Sequence, residues 1–165
     1  MKKWVSLVLL LLIGVSLTGC KEESPPPPPE DGFRCQTTVQ YGDMTVEGAL
    51  ACTGDGKLTL ECTLPKSLYG VTLGYDGNGM TMGLGEMQMS VPTESVPQSA
   101  LIGCLARVLT ADHTAGEVTD EGYVVSGQVE NTAYTLVCDA TTGLPVSLTV
   151  PAEQLTAVFT EVTPL

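Results

Sequence analysis

The feature that most constrains this chain is alternation. Between residues 33 and 162, apolar side chains recur at every second position in short runs, and turn-forming residues break the runs. In "FRCQTTVQY" (33–41) the residues Phe33, Cys35 and Val39 share one face. Val46, Leu50 and Cys52 do so in "MTVEGALAC" (44–52), Leu58, Leu60, Cys62 and Leu64 in "LTLECTL" (58–64), and Tyr134, Leu136 and Cys138 in "TAYTLVCD" (132–139). Successive strand residues point to opposite faces, so this period predicts strands with one buried side. Gly42-Asp43 reads as a tight hairpin turn, and "GDGK" (54–57), "DGNG" (76–79) and "ATTG" (140–143) read as further turns. "YGVTLGY", "EGYVVSGQ", "LPVSLTVP" and "LTAVFTEV" add strands, and Pro65 stops the third. Turn signals spaced about eight to twelve residues apart predict an antiparallel sheet.

One segment breaks the period. In "VPQSALIGCLARVLTADH" (96–113), Leu101, Cys104, Leu105, Val108 and Leu109 follow the spacing of one helical face, and Pro97 falls near the first turn, where its missing N–H costs little. A single helix therefore packs on the sheet.

The amino terminus is a different kind of chain. Lys2 and Lys3 precede the apolar run "WVSLVLLLLIGVS", which ends in "LTGC", residues 17 to 20. The run is short for a membrane span. A small residue directly before cysteine at such a boundary resembles the bacterial lipobox, which implies cleavage before Cys20 and a diacylglyceryl thioether on its sulfur. The expected division is a signal peptide over 1–19, a lipidated cysteine and proline-rich linker over 20–32, and one domain over 33–165. Each buried CH2 of an anchor contributes roughly 0.8 kcal/mol, and two chains hold stably where one is marginal. The five prolines of "KEESPPPPPEDG" form a polyproline II spacer about 15 Å long. The expected location is the outer face of the cell membrane.

The order of elements is a long meander, a helix, and a returning meander containing Tyr134, Leu136, Asp139, Gly143, Pro145 and Leu148 in the pattern Y-x-L-x-x-D-x-x-x-G-x-P-x-x-L. It resembles the LolA/LolB/LppX-like lipoprotein domain. That resemblance implies a mainly β (α+β) fold: a curved antiparallel sheet, or incomplete β-barrel, with one helix packed on its concave face. Carriers of that family open with a helix before the first strand and cover the sheet with more than one. A chain with one helix is expected to enclose less space.

Composition narrows the partners. The formal net charge is −12, and loss of Lys2 and Lys3 with the leader makes it two units more negative. In the domain only Arg34, Lys57, Lys66 and Arg107 are basic, which disfavours nucleic acid and repels anionic headgroups. Besides Cys20 there are five cysteines, Cys35, Cys52, Cys62, Cys104 and Cys138, all on apolar faces and none in a Cys-x-x-Cys pair. A turn at Gly42-Asp43 sets Cys35 opposite Leu50 and leaves Cys52 a diagonal neighbour, about 7–8 Å off and too far for a bridge. The residues favour buried thiols acting as small hydrophobes; a disulfide between non-neighbouring strands or to Cys104 stays open. His113, the single histidine, falls at the helix C-terminus, where the dipole favours an imidazolium. Gly-x-Ser-x-Gly, Ser-x-x-Lys and phosphate-loop patterns are absent. The expectation is a protein that is not an enzyme and needs no cofactor or metal.

Four of six methionines lie in "GMTMGLGEMQMS" (79–90). With Leu84-Gly85 as the turn, Met82 opposes Met87, Met80 opposes Met89, and all four share a face. Three readings stay open: plain core, the lining of an apolar pocket, or a thioether site for Cu(I). The expected ligand lining is Met80, Met82, Met87 and Met89 against Leu101, Leu105 and Val108 of the helix. The leading function is a membrane-anchored, non-enzymatic binder of an apolar or acylated ligand. The alternatives are a structural or interaction lipoprotein without ligand, and a Cu(I) binder. The protein partner is unknown.

Overall fold

The strands are laid down outward from one centre and then inward to it. The computed structural model describes residues 32–92, 95, 100–111, 113 and 116–165. The first six strands are β1 (Gly32–Tyr41), β2 (Met44–Thr53), β3 (Leu58–Leu64), β4 (Val71–Tyr75), β5 (Gly79–Leu84) and β6 (Met87–Pro92). The helix α1 (Leu101–Leu109) follows. Then come β7 (Glu117–Thr119), β8 (Gly122–Val129), β9 (Thr132–Cys138), β10 (Pro145–Val150) and β11 (Leu155–Pro164). They make one sheet in the order β6-β5-β4-β3-β2-β1-β11-β10-β9-β8-β7. Consecutive strands are spatial neighbours throughout each half, and β11 returns to pair antiparallel with β1. The helical segment joins the two outer edges.

The sheet is curved and unclosed, with a helix on it, as the resemblance implies. It is not a closed barrel: β6 and β7 stand at opposite edges. The short strand β7, which pairs with β8 across Asp120-Glu121, is an addition to the predicted set. The signal peptide, Cys20, the proline linker and Pro97 lie outside the described residues, and no described helix is long and apolar enough to cross a membrane.

The first hairpin has the expected register, with Cys35 opposite Leu50 and Phe33 opposite Cys52. Alternation then does the sorting. Phe33, Cys35 and Val39 are buried on β1, Val46, Leu50 and Cys52 on β2, and Leu58, Leu60 and Cys62 on β3. From the returning half come Tyr123, Val125, Tyr134, Leu136, Cys138, Leu148, Val150, Leu155, Ala157 and Phe159, completing one core. Thr37 is the exception on β1; buried among these residues, it donates through Oγ1 to the Val158 carbonyl at 3.2 Å, which satisfies its hydroxyl. Leu64, predicted to face inward with Cys62, is 43% exposed. The β2–β3 register shifts at Glu47/Gly48, and the shift turns the end of β3 out of the core.

The helix is buried on more than its predicted stripe. Leu101, Ile102, Gly103, Cys104, Leu105, Ala106 and Val108 are all buried, whereas Leu109 is partly so. A helix seated in a concave sheet meets apolar walls on several sides, so it is apolar nearly all round. It packs chiefly against β3 and β4. Its C-terminus is closed by Thr110, whose N–H and hydroxyl both donate to the Ala106 carbonyl, at 3.0 and 2.8 Å. Two turn residues, Glu130 and Asn131, take φ of 50° and 69° between β8 and β9. These left-handed values are those of a two-residue hairpin turn that matches strand twist.

Candidate functional site

A nine-residue helix spans about 14 Å, whereas a ten-residue strand such as β1 or β2 spans about 33 Å. Even laid along the strands, α1 cannot cover the concave face. Beyond the helix C-terminus, at one pole of the sheet, lies a cleft of about 350 Å³. There β1 begins, β2 ends, and β9 turns into β10. Phe33, Leu109, Leu136 and Pro145 give it apolar walls. Cys52 and Cys138 add two thiols, His113 one polar side chain, and the turns at Thr53, Gly54, Gly56 and Gly143 its rim. Gly32, where the chain enters the domain, also lines it.

The chemistry of this wall is quiet. Burial pushes both thiols up to about 11, with the charge of Asp55 adding to the effect at Cys52. Cys35, one diagonal step behind Cys52, is pushed up to about 12 by burial and then by Cys52. At neutral pH all three are protonated and poor nucleophiles, and Cys52 and Cys138 present sulfur to the cleft as small apolar surface. All five domain cysteines are buried thiols rather than disulfides.

The carboxylates near the rim are spoken for. Asp55 accepts from Lys57 Nζ at 2.5 Å and from the Thr53 hydroxyl, which holds its carboxyl down at about 2. Asp139 is lowered by the N–H and hydroxyl of Thr142 and the N–H of Thr141, at 2.7, 2.9 and 3.0 Å. These bonds shape the two turns that frame the opening.

His113 is positioned by the sheet rather than by the helix alone. Its Nδ1 lies 3.0 Å from the Tyr134 hydroxyl, and the rings meet edge-on with centroids 5.8 Å apart. Tyr134 can lie there because its neighbour across the ladder is Gly127, where a Cβ would come within 2.6 Å of that hydroxyl. The sequence singled out His113 for its place after the helix; the bond to Tyr134, 21 residues away, was not legible in any local pattern. Among the described residues no three His, Cys, Asp or Glu side chains gather as a metal site.

The methionine hairpin lies elsewhere and in a different register. Its turn is Gly85-Glu86, so Leu84 pairs with Met87, Met82 with Met89, and Met80 with Val91. The predicted turn at Leu84-Gly85 is corrected by backbone chemistry: the first turn position is left-handed, φ 59°, and glycine occupies it where leucine would be strained. The four methionines still share one face, because the corrected pairs keep the same parity. That face continues the row of Val71, Leu73 and Tyr75 on β4. Met80 packs against the core, but Met82, Met87 and Met89 are 43, 70 and 60% exposed. Leu101, Leu105 and Val108 are buried in the core, on the helix whose chief neighbours are β3 and β4. None of these seven residues lines the 350 Å³ cleft. The cleft was missed because its walls come from the last inward positions of several strands. The turn clusters 53–57 and 139–143 at the same pole were its only sequence signal.

Fold comparison agrees with this architecture. An uncharacterised conserved protein from Thermus thermophilus superposes with a TM-score of 0.52 at 10% identity, covering 82% of this chain and 80% of that one. The LolA superfamily protein NE2245 from Nitrosomonas europaea gives 0.44 at 11%, covering 83% and 87%. A chain in the structure of the CwlD amidase from Clostridioides difficile in complex with the GerS lipoprotein gives 0.43 at 14%, covering 100% and 93%. No family model and no curated protein matches the sequence. The likeness to the Thermus thermophilus protein is one of fold: a curved, unclosed antiparallel sheet with a helix on it.

Proposed function

We infer that this protein is an extracytoplasmic, membrane-anchored binder of an apolar or acylated ligand, and that the ligand enters end-on through the cleft at the pole of the sheet. One observation carries the reading: an apolar cleft of about 350 Å³ opens beyond the helix C-terminus, walled by Phe33, Leu109, Leu136 and Pro145. That volume is near the lower end of small-molecule sites, about 300–1,000 Å³, and suits part of one acyl chain rather than a whole lipid. The thiols around it are protonated and the carboxylates engaged, and the one imidazole, His113, is held by the Tyr134 hydroxyl, so binding fits the wall better than turnover. The anchor expected at Cys20 would reach the domain through the proline linker and Gly32, which lines the opening. The cleft then opens on the side that carries the tether, within reach of the membrane.

A fluorescent fatty-acid probe tests it on the full-length chain. Wild type should bind. Ala111→Trp, which adds an indole at a half-buried position on the rim, should abolish binding, and Met87→Gln on the exposed hairpin should leave it unchanged. Undiminished binding by Ala111→Trp would overturn this site. The anchor is tested separately: Cys20→Ala should lose acyl labelling, and equal labelling of both proteins would remove the tether.

A further inference from the structure

The two edges of the sheet are built differently. β7 has three residues, begins with Glu117 and turns at Asp120 and Glu121. Short length and charge are ordinary ways of making an edge unfit for another strand. β6 has six residues, MQMSVP, without a charge. Pro92 blunts only its last position. Among the described residues no strand pairs with its outer side. Beside that open ladder lies the apolar face of Met82, Leu84, Met87 and Met89, each at least 43% exposed. Unpaired backbone and an adjoining apolar row are the two things strand addition uses, the first for affinity and the second for selectivity. Methionine fits the second role because it is unbranched and reshapes around irregular partners.

Charge then selects the occupant. From Val71 to Pro92 the chain carries Asp76 and Glu86 and no lysine or arginine. Glu86 is exposed in the turn next to Met87. A second copy would bring the same acidity to the same place, and an anionic bilayer would be repelled. A strand with basic ends gains at both, most at Glu86, because Asp76 already feels the charge of Lys57. We propose that β6 is a docking edge for an extended segment of a partner protein. The added strand turns alternate apolar side chains toward Met82, Met87 and Met89, and lysine or arginine flanks it. This site is separate from the cleft, and it gives the interaction reading of the protein its surface.

The test uses the full-length chain in phosphatidylcholine nanodiscs and an array of eleven-residue peptides of alternating Val, Ile and Thr. Lysine-flanked peptides should bind at least about tenfold tighter than glutamate-flanked twins, with the gap closing as salt rises. Hydrogen exchange should slow at the amides of residues 87–91. Met87→Gln with Met89→Gln should weaken binding about tenfold at unchanged melting temperature, since both side chains are largely exposed. No binding by any lysine-flanked strand, equal binding of the twins, or protection only outside 87–91 overturns the proposal. So does protection of the same amides without peptide, which gives the face to the bilayer. Self-association in detergent that the double variant abolishes gives it to a second copy, and overturns the proposal too.

Discussion

Leu136 and Leu60 are both buried leucines on the concave face, 3% and 0% exposed, but only Leu136 borders the cleft. Truncating each to alanine therefore separates two contributions. Both lose about 2.4 kcal/mol of transfer energy, taking three methylene equivalents at roughly 0.8 each. Leu60→Ala also leaves an enclosed void, which costs about 24 cal/mol per Å³ and carries such substitutions toward about 4–5 kcal/mol. Leu136→Ala enlarges a space that is already open, so its cost should stay near about 2.5 kcal/mol. Urea unfolding of the full-length proteins reads both, with the slope compared first so that a changed denatured state is not mistaken for a changed core. A cost for Leu136→Ala equal to or above that of Leu60→Ala would refute the reasoning, because it would mean that the cleft wall is closed core. The same variant should accept a longer or bulkier acyl probe than wild type.

Thiol reactivity follows from burial. With Cys52 and Cys138 at about 11, only about a thousandth of each is thiolate at pH 8, so modification of the folded chain should be slow and should accelerate sharply in denaturant; prompt reaction of several cysteines in the native state would contradict the buried placement. Asp55 titrates at about 2 in the folded chain against an ordinary 3.8, first because of Lys57. Its contribution to stability is therefore complete above about pH 4 and lost as pH falls toward about 2; carboxyl NMR should find the midpoint moving back up in Lys57→Ala. Gly127→Ala should cost about 1–3 kcal/mol by driving a Cβ into the Tyr134 hydroxyl, and should disturb the His113 imidazole signals, whereas Gly83→Ala, with no atom nearer than 3.6 Å, should do neither.

The sheet was readable because its signal is local. Period-two burial assigns faces residue by residue, and Gly42-Asp43 set the first register correctly. The helix was readable in position but not in depth, since Ile102 and Ala106 are buried only because the sheet curves around them, which no one-dimensional stripe encodes. The methionine hairpin shows where parity and register part company. Moving the turn to Gly85-Glu86 re-paired its side chains yet left the four methionines on one face. Whether that face was covered depended on how far a nine-residue helix reaches across an eleven-stranded sheet. The cleft was hidden for the same reason. Phe33, Cys52 and Cys138 were correctly read as inward-facing, but inward means core under the helix and cleft wall beyond its end. His113 needed Gly127 and Tyr134 to be placed, and those residues meet it only in three dimensions.

The account stands or falls on whether the cleft holds an apolar molecule. Native mass spectrometry of the full-length chain, purified in mild detergent from its own cells and released by collision, reads this directly. The account predicts a non-covalent acyl-bearing adduct on wild type, retained in the Met87→Gln, Met89→Gln variant and missing from Ala111→Trp. An unliganded mass for wild type under every release condition, or an adduct that persists in Ala111→Trp and vanishes with the hairpin methionines, would contradict it.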